Sequence, residues 1–253
     1  MLTETHNKQA IAQAFGRAAD SYDRFAQLQR ASGARLLEMI AHHNGSQVLD
    51  AGCGTGHFSR CWRQLGKTVT ALDLSAAMLA HASEQQAADC YLQGDIENLP
   101  LADRRVDISY SNLAVQWCDD LPRALAELHR VTRSGGVIAF STLAEGSLLE
   151  LAQAWQRLDG SRRVNRFLPV SAIEAACQPY RYQLHQECVT RCFPDVLALL
   201  RSLKGIGATW LHQGRKPGLL SRARLNALSS VYPQQRGGYP LSYQLIYGVI
   251  YRD

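Results

Sequence analysis

The sequence predicts an α/β fold in which a mostly parallel sheet carries helices on both faces. Three observations carry that expectation. Short apolar runs alternate with segments of helical spacing from residue 47 to residue 143, a glycine cluster separates the first strand from the first helix of that series, and the chain closes on a long apolar and aromatic strand.

The run at residues 47–49 leads into the glycines at 52–56, after which 58–65 has helical spacing. The unit recurs: a strand at 68–72, a helix at 76–86, a strand at 90–93, a strand at 106–111, a helix at 121–130, and a strand at 137–143 entered through the turn Ser134-Gly135-Gly136. From Glu145 the rhythm changes. Helical patterns at 147–158 and 170–176 precede a strand at 182–193, further helical patterns fall at 195–204 and 219–228, and the last strand covers 241–251. Because the chain ends on a strand, the helices at 195–230 read as an insertion between the final two strands that covers the sheet. The expected organisation is one domain over 1–253, with a helical cap at 1–40, a binding core at 45–145, lid and insertion segments at 146–235 that include the strand near 182–193, and a final strand at 239–253. The sequence contains no repeat, low-complexity tract or obvious linker.

Composition narrows the function classes. A chain of 253 residues with 46% hydrophobic content buries a sizeable core without staples. Its 27 Lys and Arg against 22 Asp and Glu give a formal charge of +5, far from a nucleic-acid tail or a disordered chain. Seven scattered cysteines (53, 61, 90, 118, 177, 188 and 192) suit buried thiols in a reducing compartment rather than a disulfide framework. No run approaches the roughly 18 apolar residues of a membrane span, and even the one starting at Val137 meets Glu145 and Glu150. The first residues, M-L-T-E-T-H-N-K-Q, lack an apolar signal core and read as mature sequence, so a cytoplasmic location is expected.

The chemistry concentrates at strand ends. In Asp50-Ala51-Gly52-Cys53-Gly54-Thr55-Gly56, glycines let backbone approach a ligand and the following helix N-terminus favours negative charge. A dinucleotide fingerprint would want glycine where His57 stands, and Asp50 would crowd a pyrophosphate. The acid followed by G-x-G-x-G resembles the first motif of S-adenosylmethionine-dependent methyltransferases, which implies that Asp50 faces the cofactor's ammonium while Gly52, Gly54 and Gly56 admit its methionine end. Asp73 ends the second strand, 23 residues past Asp50, where an acid accepts both ribose hydroxyls; a nicotinamide dinucleotide would use the same residue. Asp95 follows the third strand, where these methyltransferases hold the adenine amino group, with Ile96 packed on the ring.

The fourth strand runs into S-Y-S-N-L-A-V-Q-W at 109–117, beside cofactor and acceptor. It lacks the N-P-P-[YF] expected for methylation of adenine or glutamine, and the chain lacks a Pro-Cys nucleophile for cytosine C5, so nucleic-acid bases are poor acceptors. His185 and Cys188 point to opposite faces of one strand, so with Cys192 they do not read as a metal site. His42 and His43 read as a solvated helix end, and no Ser-His-Asp arrangement stands out.

Three further blocks narrow the resemblance. K-Q-A-I-A-Q-A-F-G-R-A-A at 8–19 followed by Tyr22, S-N-L-A-V-Q-W-C at 111–118, and R-S-L-K-G-I-G-A-T at 201–209 are similar to the malonyl-acyl-carrier-protein O-methyltransferases of enteric bacteria, and the likeness runs from about residue 7 to the C-terminus. It implies a Rossmann-like class I methyltransferase with a seven-stranded sheet and a helical lid. It also implies methyl transfer from S-adenosylmethionine to the free carboxylate of a malonyl thioester on acyl carrier protein, the step that starts the pimeloyl chain in biotin synthesis. No nucleic-acid or membrane partner follows from it, and oligomeric state is left open.

Arg17, Asp50, Gly52, Gly54, Gly56, Asp73, Leu74, Asp95, Ile96 and Asn112 are then the expected cofactor contacts. Tyr22 is expected to close over the transferring methyl group, Arg201 to grip the malonyl carboxylate, and Gln116, Trp117 and Lys204 to meet the acceptor. Arg162, Arg163, Arg166, Arg215 and Lys216 are candidates for a basic surface facing the acidic carrier. A carboxylate is already ionised at neutral pH, so no dedicated general base is needed. Methylation of a quinone or metabolite oxygen would share every cofactor residue, a noncatalytic S-adenosylmethionine-binding module would need no acceptor lid, and a nicotinamide oxidoreductase would bind NAD.

Overall fold

A computed structural model of the protein describes residues 8–208 and 221–253. Seven strands form one sheet in the order β3-β2-β1-β4-β5-β7-β6. β1 (Gln47–Ala51), β2 (Thr68–Asp73), β3 (Cys90–Gln93), β4 (Val106–Asn112) and β5 (Thr132–Leu143) pair in parallel, whereas β7 (Tyr239–Tyr251) runs antiparallel to both β5 and β6 (Arg181–Phe193). The parallel strands are joined by α3 (His57–Gln64), α4 (Ala76–Glu84) and α5 (Leu121–Val131), with α6 (Leu149–Asp159) and α7 (Val170–Cys177) between β5 and β6. β1 and β4 are buried on both faces, as strands covered by helices on each side must be, so Val48 and Leu49 belong to opposite sides of the core.

The N-terminal cap is two helices, α1 (Lys8–Phe25) and α2 (Gln27–Met39), broken at Ala26. α1 buries Ile11, Ala14, Ala18 and Ala19, a stripe of helical period whose small members permit close packing. It lies against α4 and α8 (Val196–Gly205). A β-carbon on Gly205 would stand 2.0 Å from the Phe25 ring, and Gly207, at φ +74°, sits against Phe15. The glycines of the R-S-L-K-G-I-G block therefore serve the packing of α8 on α1.

Two elements depart from the sequence reading by more than two residues. β5 begins at Thr132, not Val137, because Ser134-Gly135-Gly136 lies inside an irregular strand opening: Val106 pairs with Thr132 and Ile108 with Val137, while Gly135 donates its N–H to the Arg252 carbonyl at 2.7 Å. The helix expected from 219 starts later as α9 (Arg222–Val231), where Ser221 caps the Arg224 N–H; residues 219 and 220 lie outside the described residues. No described helix is long and apolar enough to cross a membrane.

Candidate active site

The strand ends bring the acids together at the carboxyl edge of the sheet, where β1, β2 and β4 deliver Asp50, Asp73 and Asn112 and the turn after β3 delivers Asp95. Two adjoining cavities open there. The larger one encloses about 650 Å³ to its open mouth and takes in Asp73, Leu74, Asp95, Ile96 and Trp117. The smaller one takes in Asp23, Gln29, Arg30, Asp50 and His57, and Tyr22, Gly52 and Asn112 border both.

The glycine loop is left-handed at three positions, each for a different neighbour. A β-carbon on Gly52 would meet the Ala114 β-carbon at 2.3 Å and one on Gly56 the Ala87 β-carbon at 2.4 Å, so both are required by packing. Gly54 differs: its nearest neighbours would be Tyr22 ring atoms at 3.9 Å, so its missing side chain opens space to the cavity. The loop does not present a row of free donors to an anion. Gly52 and Cys53 donate to the Leu72 carbonyl, Gly54 to Asp73 Oδ2, and Gly56 to the Cys53 carbonyl. The glycines thus admit a ligand, and its polar atoms must be met by side chains.

Those side chains carry opposed charges. Asp50 is 2% exposed, accepts a 2.6 Å hydrogen bond from Ser59 Oγ, and is pushed by burial up to about 7, with the Ser59 bond opposing the rise. Asp73 accepts the Gly54 and Ser75 N–H groups at 2.9 and 2.8 Å, and burial raises its carboxyl against those bonds. Burial, with Asp73 and Asp23 nearby, lifts the Tyr22 phenol well above its ordinary range, so its hydroxyl stays protonated. Arg30 donates to the Asp23 carbonyl at 2.7 Å, Thr55 donates to the Asp23 carboxylate at 2.8 Å, and Gln29 Oε1 is buried with no hydrogen-bond partner. An anion, a cation and a neutral donor group can all be met within one cleft, as a zwitterionic ligand requires.

A methyltransferase-domain profile matches residues 49–140, the segment that builds this edge. The malonyl-[acyl-carrier protein] O-methyltransferase of Pectobacterium atrosepticum is 76% identical over 253 residues, covering all of both chains. The chain belongs to the malonyl-acyl-carrier-protein O-methyltransferase family. The Serratia marcescens member is 62% identical over 250 residues, covering 99% of this chain and 98% of its own. A putative methyltransferase of Bacillus halodurans shares the fold at 19% identity and a TM-score of 0.61, over 87% of this chain and 98% of that one. A geranyl diphosphate methyltransferase solved with S-adenosylmethionine does so at 20% identity and a TM-score of 0.53, over 90% and 88%.

In this methyltransferase the residues expected at the cleft divide into three groups. Tyr22, Gly52, Gly54, Asp73, Leu74, Asp95, Ile96, Asn112 and Trp117 border the larger cavity, and Asp50 the smaller one. Trp117 meets Phe15 edge-to-face at 5.2 Å. Asn112 is already engaged, donating to the Gln29 carbonyl at 2.9 Å and accepting from Ser141 at 2.8 Å, so it also ties α2 to the sheet. Gly56 and Gln116 border neither cavity; Gln116 donates to the Leu113 carbonyl at 2.7 Å and leaves Oε1 buried without a partner.

Arg17, Arg201 and Lys204 require correction, because all three are exposed and border neither cavity. α8 buries Val196, Leu199 and Leu203 on its inner side; the spacing of three does put Arg201 and Lys204 on one face, and that face meets solvent. The guanidinium at the cleft belongs to Arg30 instead. Of the basic candidates, Arg162 and Arg166 are exposed, Arg163 is paired with Asp159 and stacked on Trp155, and Arg215 and Lys216 lie outside the described residues. The sequence reading missed Lys8, Asp23, Gln29 and Arg30. The block at 8–19 carried a signal for Lys8, but the other three sit where α1 gives way to α2, and no local pattern marks them.

Proposed function

We propose that this protein transfers the methyl group of S-adenosylmethionine to the free carboxylate of malonyl-acyl carrier protein, giving the methyl ester and S-adenosylhomocysteine at the start of pimeloyl assembly in biotin synthesis. The observation that carries the reading is the 76% identity over the whole chain, which extends beyond the segment at 49–140 to α1, which lines the cleft, and to α8 and β7 outside it. A cytoplasmic setting and an acyl carrier protein as partner belong to the same reading.

The residues present fit the cofactor. Asp95 and Ile96 offer an acceptor and an apolar wall for adenine, Asp73 an acceptor for ribose, and the smaller cavity opposed charges for the methionine end, with unpartnered Gln29 Oε1 as a further acceptor. When bound, S-adenosylmethionine supplies the electrophilic methyl group. The chain's own task is alignment and exclusion of water. Tyr22, a neutral donor above Gly54, orients the acceptor carboxylate, and its ring can face a cation. Phe15 and Trp117 keep water from the approach. Alignment of this kind supplies up to about 7 to 11 kcal/mol in well-oriented systems. The helices before residue 40 serve as the cap, with α8 packed behind α1.

The test mixes the protein with isotope-labelled S-adenosylmethionine and malonyl carrier protein and weighs the carrier. One labelled methyl on malonyl carrier, and none on acetyl carrier, is the expected result. Transfer to a different acceptor, or none, rejects the assignment.

A further inference from the structure

Lys8, in the first turn of α1, reaches into the cleft and places its ammonium 3.0 and 2.8 Å from the two oxygens of Asp95, with a second ion pair to Glu97. Glu97 is 6% exposed and also accepts the N–H groups of Asp119 and Asp120 at 3.0 and 2.8 Å. One ammonium therefore joins three segments: the start of α1, the turn after β3, and the entry to α5. Asp95 Oδ1 additionally accepts the Glu97 N–H at 3.0 Å. Each carboxylate oxygen has two acceptor sites, so Oδ1 is filled by Lys8 and Glu97, while among the described residues Oδ2 accepts from Lys8 only, and Asp95 lines the cavity.

We propose that Lys8 is a positioning residue for cofactor selection: it holds Asp95 so that Oδ2 is offered to the exocyclic amine of a 6-aminopurine. The proposal rests on the cofactor reading above. A purine with oxygen at position 6 brings an acceptor to Oδ2 and finds no donor in Asp95, so the fixed carboxylate discriminates against it. A freely rotating Asp95 would lose much of that discrimination, because the lone pair would no longer be aimed.

The probes are S-adenosylhomocysteine and its deaminated analogue S-inosylhomocysteine, titrated calorimetrically into the wild-type protein, Lys8→Met and Lys8→Arg. With the carboxylate no longer aimed, the charge-assisted hydrogen bond to the purine amine is weakened, and Lys8→Met should bind S-adenosylhomocysteine about tenfold less tightly. S-inosylhomocysteine should change by less than about twofold, so the selectivity ratio falls, and Lys8→Arg should restore most of it. A purely structural role would weaken both ligands together, so an unchanged ratio in Lys8→Met overturns the proposal whether or not affinity drops. Wild-type protein that binds both purines equally overturns it while leaving the cofactor reading intact, and wild-type protein that binds neither overturns both.

Discussion

Asp50 should make cofactor binding a proton-linked event, and its burial sets the sign. Its carboxyl, sealed behind the glycine loop with Ser59 as its hydrogen-bond partner, is pushed up by burial to about 7. A ligand ammonium arriving in that cavity favours the ionised form and expels the proton. If binding drives the carboxyl below about 5, the protein should release about 0.9 proton at pH 6, 0.5 at pH 7 and 0.1 at pH 8. Calorimetric titration of S-adenosylhomocysteine in phosphate and in Tris separates this release from the binding enthalpy, and the affinity should climb with pH and level off above 7. Asp50→Asn should remove the linkage. The folded carboxyl keeps its proton to a higher pH than the unfolded one, so the unfolded state binds fewer protons between about 4 and 7, and the empty protein should lose stability as pH rises through that window, by at most about 1.4 kcal/mol per unit. Absence of release between pH 6 and 8, or its persistence in Asp50→Asn, would assign the titration elsewhere and refute the reasoning.

Gly54→Val should abolish S-adenosylhomocysteine binding while the protein still folds, because the side chain would fill open cavity rather than strike backbone, with left-handed strain of about 1 to 2 kcal/mol; calorimetry and circular dichroism decide it. Tyr22→Phe should slow turnover on malonyl carrier protein by about tenfold or more through loss of one hydrogen bond to a charged acceptor, and Tyr22→Ala should slow it further, whereas parent rates in both would return the residue to packing. Arg201→Ala should leave S-adenosylhomocysteine affinity unchanged, and any effect should appear in the KM for malonyl carrier protein. Gly205→Ala should destabilise by about 1 to 3 kcal/mol through overpacking against Phe25, lowering the melting temperature by about 2 to 12 °C, and Phe25→Leu in the same chain should recover part of the loss.

What the sequence made legible was local. The apolar runs of β1, β2 and β4 and the polar residues near their ends lie within a few positions of one another, and those residues alone place Asp50, Asp73 and Asn112 at one edge of a parallel sheet. Asp95 was readable for the same reason, but its partner Lys8 lies 87 positions away, and no periodicity connects them. Arg201 and Lys204 show the opposite failure: a spacing of three fixes a shared helix face without saying which way the face turns, a choice made by Val196, Leu199 and Leu203. The glycines at 205 and 207 carried part of the family resemblance, and their structural meaning depended on Phe25 and Phe15 in a helix nearly two hundred residues earlier.

The pairing of β6 with β7 has a consequence for how this fold can be altered. Phe193, the last residue of β6, stands opposite Tyr239, the first of β7, so the chain leaves the sheet and re-enters it at one rung of the ladder. Between these paired ends the chain makes an excursion that includes α8 and α9. The entropy of closing a loop grows only as the logarithm of its length, and doubling it costs about 0.6 kcal/mol. The register of the two strands is set by their own ladder, so the length of the excursion can change at its exposed turns at little cost, provided that the buried face of α8 (Val196, Leu199 and Leu203) and its packing on α1 are kept.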